Sequence, residues 1–239
     1  QNIILRRYSD KDFVKKYSQG TLEGLKDYEE KIVDKFLKNR KKILVVGCGC
    51  GREVFTLSKK GHDVTGIDIS EEMIKKAKEI SKESKIKANF YSGDISEMNL
   101  EKEKYDAVLM FNCVINQIPS YEKRKKAMEN LYETLKTKGL IVVVSNNFYY
   151  PGKNFSYYFE HLEDLFKKII GKRKESVYDK IYDAEGNKVY VNLSTPRILQ
   201  KLLKRFRMIS ITSDKKIKGD KINKSPLFDE LLIFIGKKD

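Results

Sequence analysis

Residues 42–53 read KILVVGCGCGRE, an aliphatic run that ends abruptly in three alternating glycines. The run is too short for a helix and is bounded by glycine, so it reads as a buried strand. A helix is expected from about Gly51 to Lys60, stopped by Gly61. The pattern then recurs. DVTGID (63–68) reads as a strand, and Ser70 caps a helix with Glu71 and Glu72 in its first turn. ANFYSGD (88–94), YDAVLMFN (105–112) and LIVVVSN (140–146) supply three more strands. A helix after Ser120, ending near Gly139, precedes the last of them. Strand and helix alternate, which requires a parallel sheet with helices on both faces.

The rhythm breaks after residue 146. An aromatic, irregular stretch is followed by two strands around a turn at Gly186. A helix opens with Thr195 and Pro196, and FRMISITS and DELLIFIGKK close the chain as strands. The last two are joined by a polar loop without helical pattern, so they are expected to be antiparallel. At the other end, Leu22, Leu25, Ile32, Val33, Phe36 and Leu37 suggest an amphipathic helix over 21–38. The fold expected is α/β: a doubly wound, Rossmann-like sheet of about seven strands with the last antiparallel. It forms one domain over 1–239, with an N-terminal helical cover (1–40) and a segment inserted after the fifth strand (147–193).

Composition narrows the function. Three cysteines in 239 residues argue against a disulfide framework. No apolar run reaches the ~20 residues of a membrane span and no signal-peptide core opens the sequence. A cytoplasmic protein is the expectation, with no membrane partner. The net charge of +15 invites a polyanionic partner, but acidic residues are interleaved through most of the lysine-rich helices. Nucleic acid is therefore not the favoured partner, and the oligomeric state is left open.

The glycine turn decides the chemistry. In an open parallel sheet, ligands collect outside the carboxyl ends of the strands. Gly47, Gly49 and Gly51 let a ligand lie against the backbone there, and Cys48 and Cys50 then need only be small. A metal centre on Cys48 and Cys50 fits less well, because C-x-C supplies two ligands where structural zinc takes four. The dinucleotide pattern G-x-G-x-x-G is not met, since Arg52 stands where glycine is required. Asp68 ends the second strand 21 residues after Gly47, where a carboxylate can accept both hydroxyls of a ribose.

VVGCGCGRE, VTGIDIS, YSGDIS and YDAVLMFNCVINQIP together resemble the motifs of class I S-adenosylmethionine-dependent methyltransferases over roughly residues 40–145. The resemblance implies S-adenosylmethionine as cofactor. It assigns Asp68 to the ribose, Asp94 and the Ile95 backbone to the adenine, and Phe111 and Asn112 to the methionine portion. Cys48, Ile69 and Met73 complete the implied cofactor set with the three glycines. Tyr17 is implied as a closure over the methionine end. The family often carries an acid two residues before the first glycine, where this chain has Val45.

The acceptor is expected to be a small molecule held by Tyr149, Tyr150, Tyr157 and Tyr158. The alternatives are RNA or protein, although NCVI replaces the NPPY-like tetrapeptide used on flipped bases, or a non-catalytic nucleotide-binding module. No catalytic residue is fixed by the sequence; His161 and Tyr17 are the candidates for a base, and His62 reads as structural. No metal is expected.

Overall fold

The computed structural model describes residues 2–150, 179–184, 187–219 and 229–239. Its centre is a seven-stranded sheet of β1 (Lys42–Val46), β2 (Asp63–Asp68), β3 (Asn89–Ser92), β4 (Tyr105–Met110), β5 (Leu135–Asn146), β8 (Arg207–Ser213) and β9 (Leu231–Lys237). The strand order is β3-β2-β1-β4-β5-β9-β8. β1 to β5 run parallel, and β9 is antiparallel to both β5 and β8. The expected doubly wound sheet and its reversed last strand are both present.

β1, β2 and β4 are buried on both faces, as their aliphatic runs require, while β3 at the sheet edge buries only Phe90. In β1, Ile43, Leu44, Val45 and Val46 are all buried, odd residues joining one core layer and even residues the other. One layer holds α3 (Asp27–Phe36), α4 (Arg52–Lys59) and α5 (Glu71–Ser84); the other holds α6 (Tyr121–Thr134) and α7 (Pro196–Leu202). The strand order reverses between β1 and β4. Their carboxyl ends therefore diverge into a crevice.

Three local expectations are corrected. The helix predicted over 21–38 is confined to Asp27–Phe36. Gly24 takes φ +104, and Lys26 is the N-cap, its backbone N–H donating to Glu29 Oε2 at 2.8 Å. That capping interaction starts the helix one turn late and leaves Leu22 exposed. The helix expected to run to Gly139 instead ends at Thr134, and β5 begins at once with Leu135. Gly139 sits at an irregularity in the β4–β5 register, where an added Cβ would lie 2.7 Å from the Lys136 carbonyl oxygen. It marks a bulge rather than a helix stop. The polar connection after β8 carries a short helix, α8 (Asp214–Lys218), capped by the Ser213 hydroxyl.

Two further helices, α1 (Asn2–Tyr8) and α2 (Lys11–Ser18), precede α3. The Ser70 hydroxyl caps α5 and also donates to the Tyr8 carbonyl at 2.6 Å. This one side chain ties α1 to the carboxyl end of β2. β6 (Asp179–Ala184) and β7 (Asn187–Asn192) pair antiparallel, as two expected strands, and β7 comes close to α1; the turn expected at Gly186 lies outside the described residues. The rest of the inserted segment, 151–178, lies outside the described residues. Among those described, no helix is long and apolar enough to cross a membrane.

Candidate functional site

A cleft opens at the carboxyl ends of β1, β2 and β4. Gly47, Asp68, Ile69, Asp94 and Ile95 line it, as the sequence led one to expect. Ile4 and Tyr8 of α1 and the run Val114, Gln117, Ile118 and Pro119 after β4 close its other sides. These six were not singled out from sequence. Tyr8 arrives through the packing of α1, and burial raises its hydroxyl pKa. Val114 to Pro119 lie inside the quoted fourth-strand segment, which is the signal that could have found them.

Asp68 is the best-defined polar group. Its Oδ2 accepts from the Gly49 N–H at 2.8 Å and its Oδ1 from the Ser70 N–H at 2.9 Å. Each oxygen keeps a further lone pair for a hydroxyl, which suits a vicinal diol. Burial pushes the Asp68 carboxyl above the usual carboxylate range; the Ser70, Gly49 and Ile69 amides oppose that.

Gly47 takes φ +69, and a Cβ there would meet Val114 Cγ2 at 2.2 Å. Gly49, φ +52, lies under the Tyr17 ring, whose Cε1 is 3.1 Å from where a Cβ would be. Both positions are cradles that a side chain would fill. Gly51 instead backs onto Phe55 and Phe90 and opens α4 as its N-cap. Diol acceptor, bare backbone and apolar walls together fit the nucleoside and thioether of the implied cofactor.

Asp94 is placed at the cleft but is already engaged. Oδ1 accepts from the Ser96 N–H and hydroxyl at 2.9 and 2.7 Å, and Oδ2 from Lys123 Nζ at 3.2 Å. Partial burial raises its pKa, but these donors outweigh it and hold the carboxyl below the usual range. An adenine amine would share this carboxylate with Lys123.

The remaining implied residues divide. Asn112 and Cys113 leave β4 with φ +50 and +56, a strained pair of left-handed residues beside the glycine loop. Met73 and Phe111 put their side chains into the core below the loop rather than into the cleft. Tyr17 stacks on Phe13 and covers Gly49, consistent with a closure. Burial, followed by the charge of Glu53, raises its hydroxyl pKa, which disfavours the ionised form a base would need. Tyr149 and Tyr150 lie just past β5, with Tyr149 exposed and Tyr150 half-buried. Tyr157, Tyr158 and His161 lie outside the described residues. His62 Nδ1 lies 2.6 Å from the Arg40 carbonyl oxygen, a structural contact.

The two loop cysteines are packed separately. Cys48 Sγ fills the space a Cβ on Gly66 would need, 2.8 Å away, while Cys50 Sγ touches Met73 Sδ at 3.4 Å. Burial pushes the Cys50 thiol up to about 12 and Cys48 well above the ordinary thiol value, so neither is a thiolate near neutrality. Cys50→Ala is expected to keep cofactor affinity within about threefold of wild type, read by calorimetry, because it trims one contact outside the cleft. A loss of bound metal on that substitution, read by elemental analysis, would contradict this.

Residues 43–139 match a family described as "Methyltransferase domain". The chain is 32% identical over 114 residues to a carboxy-S-adenosyl-L-methionine synthase of Nautilia profundicola, covering 47% of each. It is 32% identical over 125 residues to a ubiquinone biosynthesis O-methyltransferase of Pelagibacter ubique, covering 52% of this chain and 49% of that one. The chain thus spans about half the length of these curated relatives. Its fold is that of an S-adenosylmethionine-dependent methyltransferase of Methanosarcina mazei. The TM-score is 0.69 at 22% identity, covering 90% of this chain and 98% of the other. The sheet order, the glycine turn facing Asp68 and the domain matched over residues 43–139 converge: that part of the chain is similar to a methyltransferase domain, in the fold of the class I S-adenosylmethionine-dependent methyltransferases.

Proposed function

We propose that this protein binds S-adenosylmethionine in the Gly47–Asp68 cleft and transfers its methyl group to a small-molecule acceptor. The observation that carries the reading is Asp68, fixed by two backbone amides in the wall of the cleft with a further lone pair on each oxygen. When bound, the cofactor supplies a methyl group already activated by its sulfonium. What the chain must add is placement: an acceptor atom in line with methyl and sulfur, and water kept out.

Asp68 and the loop amides fix the nucleoside end. Tyr8 and α1 cover it from the N-terminal side, and Tyr17, over Gly49, closes the methionine end. We read 1–40 as this cover and 147–193 as the acceptor-side segment of a single domain. Tyr149 and Tyr150 follow Asn147, which bridges to Ser194 at the same carboxyl edge of the sheet as the cleft. An aromatic approach of this kind suits an uncharged ring or a cationic amine. The printed activity of the Pelagibacter relative, O-methylation in ubiquinone biosynthesis, is of the small-molecule kind.

The test is S-adenosylhomocysteine production by the full chain with panels of phenols, amines and thiols, read against RNA and protein acceptors. Turnover on a small molecule, little changed between 50 and 200 mM salt, is expected. Turnover confined to RNA, weakening about a thousandfold or more over that salt range, would transfer the assignment to a nucleic-acid acceptor. Binding without transfer to any acceptor would favour a non-catalytic module.

A further inference from the structure

We infer that Glu53 receives the ammonium group of the cofactor's amino-acid portion, which makes it the carboxylate that Val45 cannot supply. This rests on the S-adenosylmethionine reading above. Val45 is 1% exposed and belongs to the core below the loop, so the position two residues before Gly47 has no polar group to offer.

Glu53 lies on the far side of the same loop. It is the second residue of α4, which starts where the glycine turn ends. β1 and β4 pair in parallel with Val45 opposite Leu109, so the glycine loop and Asn112 leave the sheet side by side. Asn112 Nδ2 donates to Glu53 Oε1 at 2.6 Å and joins the two segments across the switch point. Lys26 Nζ, on Asn112 Oδ1 at 3.1 Å, fixes the amide in that orientation. On the opposite side, Gly49 donates to Asp68. The Tyr17 ring lies over Gly49, its Cε1 3.1 Å from where a Cβ would be. Asp68 and Glu53 thus flank the glycine loop, one bonded to the Gly49 amide within it and the other on the helix that follows it.

The charge balance points the same way. Arg52 grips Glu29 with both terminal nitrogens, at 2.7 and 2.9 Å, and reaches Glu53 Oε1 with one of them at 2.6 Å. One guanidinium thus serves two carboxylates, and the buried triad carries one net negative charge. Glu53 is 2% exposed. Burial, followed by the charge of Glu29, raises the Glu53 carboxyl above the usual range against the pull of Arg52, so a second cation beside it would favour the ionised form. Both bonds the side chain accepts end on the same oxygen, Oε1. The ammonium of an amino acid is a compact cation with three donors and matches this need.

The test compares S-adenosylhomocysteine with 5′-methylthioadenosine, which lacks the amino-acid portion, by calorimetry on wild type and Glu53→Gln. Wild type is expected to prefer S-adenosylhomocysteine. Glu53→Gln is expected to weaken it by about tenfold to a hundredfold and to leave methylthioadenosine unchanged. The desamino analogue of S-adenosylhomocysteine, which keeps the carboxylate, supplies an arm without a protein change. It should bind wild type as weakly as S-adenosylhomocysteine binds the variant, and Glu53→Gln should not weaken it further. Equal loss of both nucleosides in the variant would show a structural role and overturn the inference. So would unchanged affinity for both, with or without a fall in kcat, or full affinity of wild type for the desamino analogue. Wild type that binds neither nucleoside would overturn the cofactor reading and this inference with it.

Discussion

Asp68→Ala is expected to weaken S-adenosylmethionine binding by about 2–4 kcal/mol, roughly thirtyfold to several-hundredfold, through loss of two charge-assisted hydrogen bonds to the ribose. Calorimetry on the folded variant reads this directly; unchanged affinity would remove Asp68 from the site. The same carboxyl sets a pH dependence. Its pKa is raised by burial, so the protonated form is favoured in the folded protein relative to the unfolded chain. Asp68 therefore contributes stability below its unfolded pKa, and this is lost as pH rises through the folded value. Ligand binding has the opposite sign, because hydroxyl donors need the ionised acceptor. On acidification, affinity should begin to fall at a pH above the usual carboxylate range, while the ligand-free fold gains from the same protonation. An affinity flat through that window in wild type would contradict the assignment.

The second large effect is expected at Gly47. Gly47→Ala forces an L-residue to hold φ +69 and drives its methyl group to within 2.2 and 2.7 Å of the two Val114 methyls. Val114 is β-branched and cannot rotate freely out of the way. The left-handed conformation costs about 1–2 kcal/mol and overpacking about 1–3 more. A loss of about 2–5 kcal/mol in the denaturant midpoint analysis is a large fraction of a domain's stability. Val114→Ala in the same chain should recover the steric part but not the backbone part. A double-mutant cycle with no coupling between the two positions would show that the contact is not what forbids a side chain there.

What could be read from sequence follows from range. The sheet was legible because β1, β2 and β4 are short aliphatic runs, the first closed by glycine and the second by an acid, signals contained within ten residues. Asp68 and Gly47 were legible for the same reason, each ending a strand. The helix boundary at Lys26 was not, because Glu29 caps it while held by Arg52, a partner 23 residues away. Gly139 looked like a helix stop because a bulge and a C-cap ask for the same residue. Ile4 and Tyr8 enter the cleft only through the docking of α1, which rests on the Ser70 bond and leaves no periodic mark. Glu53 carries no mark of its own in the sequence. Its distinction is the company of Glu29, Arg52 and Asn112, which only the fold assembles. Met73 and Phe111 are the converse, residues near the motifs whose side chains serve the core.

The most direct measurement is a crystal structure of the full chain grown with saturating S-adenosylhomocysteine. The account predicts both ribose hydroxyls within hydrogen-bond distance of the Asp68 carboxylate, the adenine against Ile69 and Ile95, and the thioether passing over Gly47. A ligand seated elsewhere, or a cleft that stays empty at saturating concentration while Asp68 keeps its two amide bonds, would contradict it.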